Sequence, residues 1–377
     1  MKLYIDENIP YAKQFFSDFG DLTFFSGRTV SPEQLSDADI LLVRSITQVN
    51  EGLLHLNKTL KFVGTATIGM DHVDQDFLKQ HDIAFSSSPG CNKISVAEYV
   101  LSSLLILAEK QQFQLTDKSV AIVGAGNTGS AVYERLTALG VCCKLYDPPL
   151  QLAGDKREFC RFDDVLNADI ISLHVPKIHG GAFPTVHMFD ASVLAKLNDQ
   201  QILINASRGE VIDNQALLTL ARNGHQPTLV LDVWENEPNI EKQLLPYVEI
   251  ATPHIAGYSL DGRARGTEML YQALCLHLNK KVQYQAADFV VKAAITDITI
   301  TQELSQAVLK QLVHLIYDVR RDDALFRQMI DQDDGFDIMR KTYSERRELS
   351  TLTVNTSTSQ TKLLQSLGFN SNNLQER

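Results

Sequence analysis

One arginine, one glutamate and one histidine stand in three short segments, each just past an apolar run. The segments are Asn205-Ala206-Ser207-Arg208-Gly209, Asp232-Val233-Trp234-Glu235-Asn236-Glu237-Pro238 and Thr252-Pro253-His254-Ile255-Ala256-Gly257-Tyr258. Such a set suits oxidation of an alcohol by hydride loss. A histidine can take the hydroxyl proton near neutral pH. A carboxylate against the imidazole fixes its orientation. An arginine binds a substrate carboxylate and polarises the oxygen at the reacting carbon. Each residue also has a bland reading, because the chain has ten histidines, and His72, His174, His179 and His314 carry no such context. Their joint placement at successive strand ends gives the reading its weight.

A second constellation lies upstream. The apolar run Val120–Val123 leads into Gly124-x-Gly126-x-x-Gly129, then a helical pattern (Val132, Leu136, Leu139), Gly140, a second apolar run and Asp147. The first glycine permits a tight turn, the second lets backbone approach a pyrophosphate, and the third lets the helix pack close to its strand. Asn127 and Thr128 open that helix, whose amide N–H groups and partial positive charge suit phosphates. Asp147, 18 residues past Gly129, is placed to accept from the adenosine ribose hydroxyls and to repel a 2′-phosphate. The order strand, glycines, helix, strand, acid predicts NAD as cofactor, in preference to NADP.

The elements that would position these groups form a repeating pattern. Leu3–Ile5, Leu22–Phe25, Ile40–Val43, Phe62–Val63 and Ile83–Phe85 read as strands of a small α/β unit. Glu98 to Lys110 reads as a long helix with Val96, Val100, Leu104 and Leu107 on one face. After Asp147, the runs Ile170–Val175, Ile202–Asn205, Leu229–Val233 and Val248–Ala251 read as strands, with helices at Phe189–Leu197 and Asn214–Asn223. That is a Rossmann-type doubly wound parallel α/β sheet, in which ligands sit beyond the carboxyl ends of the strands. From about 290 the character changes. Leu304, Val308, Leu312 and Leu315 form an amphipathic stripe, Leu352–Val354 a strand, and Lys362–Gly368 a helix; Asn370 to Arg377 read as a frayed end. The expected division is a substrate-binding domain at 1–95 completed by about 256–287, a cofactor domain at 96–255, and a small C-terminal α+β domain at 288–377.

Bulk properties narrow the function. A chain of 377 residues with 44% hydrophobic and 21% charged residues can build two or three cores. Its net charge of −11 argues against nucleic acid and against an acidic membrane surface as partners. Asp6 and Glu7 interrupt any signal-peptide core, and Tyr99 to Ala108 is too short to span a bilayer. The five cysteines, Cys91, Cys142, Cys143, Cys160 and Cys275, show no metal-ligand spacing. Reduced thiols in the cytoplasm, and no metal, are expected.

The three strand-end segments resemble the signatures of the D-isomer-specific 2-hydroxyacid dehydrogenases. That resemblance implies Arg208 as the substrate carboxylate ligand, Glu237 as partner of the histidine, His254 as acid/base, and Asp232 as the group holding the nicotinamide carboxamide. Many relatives carry a threonine where this chain has Val175, so only backbone contact with the cofactor is expected there. Further stretches are similar to one branch of the family that acts on a phosphorylated hydroxy acid: Met1–Tyr11, Val43-Arg44-Ser45, Phe62–Thr67 with Asp71–Asp74, His254–Ser259, Leu315–Asp323 and Glu345–Glu348. This implies a flavodoxin-like substrate domain and a homodimer held by the C-terminal domain. It also implies substrate contacts at Ser45, Thr67 and Tyr258 and a cofactor contact at Gly257. A buried phosphate needs cations. Arg44 at a strand end, and Arg346 and Arg347 in the tail, are the candidates.

Two other functions fit parts of the sequence. One is a dehydrogenase for a different 2-hydroxy acid, such as 3-phosphoglycerate. The other is an NADH-sensing binding protein on the same fold. The tail motifs speak against the first, and the complete set Arg208, Glu237 and His254 against the second.

Overall fold

Alternating apolar strands and helices build three parallel sheets. The structure, a computed structural model, describes residues 1–356 and 358–374. Two compact units divide them: Met1–Asn92 with Ser259–Lys292, and Lys93–Tyr258 with Ala293 onward.

The first unit holds β1 (Lys2–Asp6), β2 (Asp21–Phe25), β3 (Ile40–Val43), β4 (Phe62–Thr65) and β5 (Ala84–Ser86), in the order β2-β1-β3-β4-β5 and all parallel. This is the flavodoxin-like order. Every residue of β3 and β4 is buried, which is why both read as unbroken apolar runs. Leu3, Ile5, Phe15 and Phe16 pack with Leu270, Tyr271 and Leu274 of the returning helix Leu260–His277. Leu41, Val43, Val63 and Leu78 fill the opposite face.

The second unit holds β6 (Ser119–Val123), β7 (Cys142–Tyr146), β8 (Ile170–Leu173), β9 (Ile202–Asn205), β10 (Thr228–Leu231) and β11 (Ile250–Ala251), in the parallel order β11-β10-β9-β8-β6-β7. The chain reverses its direction of build between β6 and β8, so the glycine loop opens at that reversal. A third sheet, β12 (Asp297–Thr299), β13 (Thr353–Thr356) and β14 (Asn370–Asn373), is also parallel, with helix Thr358–Leu367 between its last two strands.

The segment after 293 clusters with the second unit instead of standing apart. Its Leu309, Leu312, Val313, Leu352, Val354, Leu364 and Leu367 share one apolar core with the long helix and β6. This explains a departure from expectation: the long helix runs Lys93–Lys110 and is buried on all sides from Ser95 to Ala108. Its first turns carry Ser95 and Glu98, polar residues that the tail covers: Ser95 Oγ donates to Glu348 Oε1 at 3.1 Å and Leu349 N to Glu98 Oε1 at 2.9 Å.

Other expectations change in detail. The buried face of helix Gln306–Ile316 is Leu309, Leu312 and Val313, whereas Val308 and Leu304 are half-buried and Leu315 is exposed. The helix expected at Phe189–Leu197 is one turn, Ala191–Leu194, started by Asp190, whose carboxylate accepts from Ser192 and Val193 N–H. Strand β11 is two residues long, because Lys242–Tyr247 is a 3-10 turn running up to it. Asn370–Asn373 pairs with β13 and is no frayed end; residues 375–377 of that expectation lie outside the described residues. None of the described helices is long and apolar enough to cross a membrane.

Candidate active site

The loops after β9, β10 and β11 are stitched to one another by short polar contacts. After β9, Asn205 folds back on its own turn: Nδ2 donates to the Arg208 carbonyl at 2.9 Å, and Oδ1 accepts from Ser207 N and Oγ at 3.1 and 2.9 Å. Arg208 leaves this turn half-buried, its Nη1 donating to the Ser207 carbonyl at 2.8 Å. At Gly209 a Cβ would lie 1.9 Å from the Trp234 carbonyl carbon. A side chain there would force the Arg208 loop off the loop that carries Glu237.

Asp232 is 1% exposed. Its Oδ1 accepts from Thr252 Oγ1 at 2.7 Å and Ile255 N at 2.8 Å, and its Oδ2 from Ala256 N at 3.0 Å. The His254 N–H donates to the Asp232 carbonyl at 2.6 Å. Burial pushes the Asp232 carboxyl up, while His254 and these donors pull it back. One residue thus shapes the whole turn His254–Gly257. His254 itself lies in the left-handed region at φ 59, a conformation a histidine keeps only when its surroundings impose it.

A histidine–carboxylate pair follows from that turn. His254 Nδ1 meets Glu237 Oε2 at 2.7 Å, and Glu237 Oε1 accepts from Trp234 N at 2.8 Å. Burial would raise the Glu237 carboxyl, but His254, then the Arg340 charge and the Trp234 N–H, hold it below the usual range. An ionised Glu237 keeps the Nδ1 proton in place, which leaves Nε2 as the nitrogen that exchanges a proton. Trp234 Nε1 donates to the Thr252 carbonyl at 2.9 Å and ties the second loop to the third.

The tail reaches this region. Arg346 is 4% exposed and donates from Nη1 to the Ala256 carbonyl at 2.9 Å and from Nη2 to the Ser95 carbonyl at 2.6 Å. Its guanidinium lies 3.4 Å from the centre of the Tyr317 ring. Arg346, expected from the sequence as a candidate phosphate ligand, thus braces the turn His254–Gly257 from behind. Arg347 is half-buried. Arg340, which no motif flagged, donates from Nη2 to the Tyr258 hydroxyl at 3.0 Å.

At the cofactor end the three glycines differ. A Cβ at Gly124 (φ +89) would meet the His174 carbonyl oxygen at 2.5 Å and Val175 Cγ1 at 2.9 Å, and one at Gly129 the Gly124 carbonyl oxygen at 1.8 Å. At Gly126 a Cβ would meet nothing within 4 Å. The chain's own packing demands the first and third glycines. The second keeps an open face clear at the start of helix Asn127–Ala138, where Gly126 and Asn127 are exposed, Thr128 is half-buried and no side chain caps the helix. That is the cradle a pyrophosphate fits. Asp147 Oδ2 accepts from Ala125 N at 2.8 Å and Oδ1 from Leu150 N at 3.0 Å. Arg157, also unflagged, donates to the Ala125 carbonyl at 2.9 Å and to Ser130 Oγ at 2.7 Å. Ala125 is thus held at both its N–H and its carbonyl.

In the first unit, Arg44 donates from Nη1 to the Asn8 carbonyl at 3.0 Å and Ser45 is exposed just past β3. Thr67 Oγ1 lies 2.7 Å from Thr65 Oγ1 and donates to the Gly69 carbonyl at 2.9 Å. The second unit brings together Arg208, Asp232, Glu237, His254, Gly257 and Tyr258. Asn205, Gly209, Arg157 and Arg340 extend that set. Of these, only Asn205 and Gly209 lay inside a quoted motif.

Comparison with known proteins agrees with this geometry. Residues 106–256 match the family model described as D-isomer specific 2-hydroxyacid dehydrogenase, NAD binding domain, and residues 289–368 match a domain of unknown function. The erythronate-4-phosphate dehydrogenase of Psychromonas ingrahamii is 70% identical over 99% of this chain and 97% of its own length. The enzyme of that name from Colwellia psychrerythraea is 52% identical over 99% and 100%. Among solved structures, the D-lactate dehydrogenase from Aquifex aeolicus complexed with NAD and lactic acid matches at TM-score 0.60 and 25% identity, covering 74% of this chain and 95% of that one. The NAD-bound 3-phosphoglycerate dehydrogenase of Entamoeba histolytica matches at TM-score 0.62 over 76% and 98%, and at 22% identity this likeness is one of fold.

Proposed function

We propose that this chain, which belongs to the D-isomer specific 2-hydroxyacid dehydrogenase family, oxidises 4-phospho-D-erythronate at its 2-hydroxyl and yields (R)-3-hydroxy-2-oxo-4-phosphooxybutanoate. The chemistry rests above all on the 2.7 Å contact between His254 Nδ1 and Glu237 Oε2. The choice of substrate rests on the relatives that carry that name at 52–70% identity over nearly full length. The reaction serves pyridoxal 5′-phosphate (vitamin B6) biosynthesis in the cytoplasm.

NAD, the family's cofactor, supplies the hydride acceptor when bound. Gly124, Gly126 and Gly129, with Asn127 and Thr128, hold its pyrophosphate; Asp147 holds its ribose; the Val175 and Gly257 backbone and Asp232 hold its nicotinamide end. Arg208 takes the substrate carboxylate and polarises the C2 oxygen. His254 Nε2 accepts the hydroxyl proton as hydride leaves C2, and ionised Glu237 stabilises the imidazolium that results. Residues 1–95 with about 256–287 bind substrate through Arg44, Ser45 and Thr67, 96–255 bind NAD, and 288–377 hold a homodimer.

The test is NADH formation with 4-phosphoerythronate, 3-phosphoglycerate and D-lactate side by side. The proposal expects the first to have the highest kcat/KM. A preference for 3-phosphoglycerate would assign the chain to that reaction instead.

A further inference from the structure

We infer that Arg340 is the cation through which the C-terminal segment meets the distal anionic group of the substrate. This deepens the reading above and rests on it for the identity of that group, a phosphate.

The inference starts from what surrounds the guanidinium. Arg340 sits near the end of the short helix Gly335–Lys341. Its Nη2 donates to the Tyr258 hydroxyl at 3.0 Å. Its guanidinium carbon is 5.7 Å from the Tyr258 ring centre and 5.9 Å from that of Phe336. The Nε–H is buried and has no hydrogen-bond partner. The charges of Glu237 and Asp337 also act on Arg340. The guanidinium thus hydrogen-bonds a neutral hydroxyl, shares the field of Glu237 with His254, and keeps donor capacity for a further anion.

Three other arginines of the segment hold partners of their own. Arg320 pairs with Asp318 at 2.6 Å. Arg327 pairs with Asp323 at 2.9 Å and donates to the Leu245 and Val248 carbonyls. Arg346 donates to the Ala256 and Ser95 carbonyls and faces the Glu98 carboxyl at 4.0 Å, deep in the core, although its Nε–H is also without a partner. Arg340 differs in what it holds: Tyr258, four residues from His254 and in the same unit as the acid–base pair. The substrate has two anionic ends. Arg208 takes the carboxylate, and a second planar fork of donors suits the other end, since guanidinium matches phosphate with two parallel hydrogen bonds. On this account selectivity for a phosphorylated acid comes partly from a segment outside the cofactor and substrate domains.

The test uses the full-length chain loaded with NAD. Inorganic phosphate binding is measured by titration calorimetry in the unmodified protein, Arg340→Gln and Arg340→Lys. The kcat/KM for 4-phosphoerythronate is measured beside that for unphosphorylated D-erythronate. Phosphate affinity should fall about tenfold or more in Arg340→Gln and return in part in Arg340→Lys. The kcat/KM for the phosphorylated acid should fall about 10- to 150-fold, as expected for a charged hydrogen bond, and by clearly more than the kcat/KM for D-erythronate, which loses only the effect of the Arg340 charge on Glu237. Equal phosphate affinity in the unmodified protein and Arg340→Gln, or no binding in either, overturns the inference. So does an equal loss on both acids, which would place Arg340 on the Glu237–His254 pair or in folding. A different failure marks the function itself: no turnover of 4-phosphoerythronate by the unmodified chain while Arg340→Gln still loses phosphate. Arg340 would then serve another anionic substrate.

Discussion

At the scale of single residues, the pair His254 and Glu237 has a consequence that kinetics can read. His254→Ala removes the proton acceptor, so kcat should drop by about 10²–10⁴-fold. NAD affinity, measured by fluorescence titration, should stay nearly constant, because neither residue belongs to the glycine cradle. A large parallel loss of NAD binding would mean that the turn His254–Gly257 had collapsed. Asp147→Ala should raise the KM for NAD and narrow the preference over NADP. Since Asp147 also anchors Ala125 N and Leu150 N, part of that loss will come from the loop itself. Residues at this scale were legible where chemistry and position coincide in one motif, as for Arg208, Glu237 and His254. They were illegible where a charge says nothing of its partner. Arg346 and Arg340 look alike in sequence; one proves to be a buried brace on Ala256 and the other a donor to Tyr258.

At the scale of elements, helix Lys93–Lys110 is the informative case. Its Glu98 is fully buried, with Oε1 accepting from Leu349 N at 2.9 Å. Burial, and next the charge of Glu348, push its carboxyl up to about 8, against the pull of Arg346. The sign is direct. Native Glu98 keeps a proton that the unfolded chain releases near 4.5, so this group's contribution to stability falls as pH rises from there to about 8. Urea midpoints measured from pH 5 to 9 should fall less steeply in Glu98→Gln than in the unmodified chain. Identical slopes would show that Glu98 ionises normally. The sequence pattern located this helix but not its start at Lys93, nor its burial on every side, because the residues that cover its polar turns lie some 250 positions away in the tail. The stripe expected at Leu304, Val308, Leu312 and Leu315 missed for a related reason. The apolar side chains of Gln306–Ile316 exceed the face that the core can take, and spacing alone does not say which ones turn inward.

At the scale of the whole molecule, alternation of apolar runs and helical segments indicates one doubly wound parallel sheet and a second, small α/β unit. It did not indicate that the described residues after 293 pack into the cofactor unit. Their side chains share its core, so a chain truncated near 292 should expose the long helix and aggregate. The full-length chain should sediment as a dimer. A truncated chain that stayed soluble with unchanged NAD affinity would show that the tail is dispensable to that unit. The central claim, that this molecule takes hydride from C2 of 4-phosphoerythronate and passes it to NAD, has one direct measurement. The substrate is prepared with deuterium at C2, turned over with NAD, and the products are examined by mass spectrometry. The account predicts one deuterium on the nicotinamide of the reduced cofactor, in step with formation of the 2-oxo acid. Deuterium released to water, or retained at C2 while another carbon is oxidised, would contradict it.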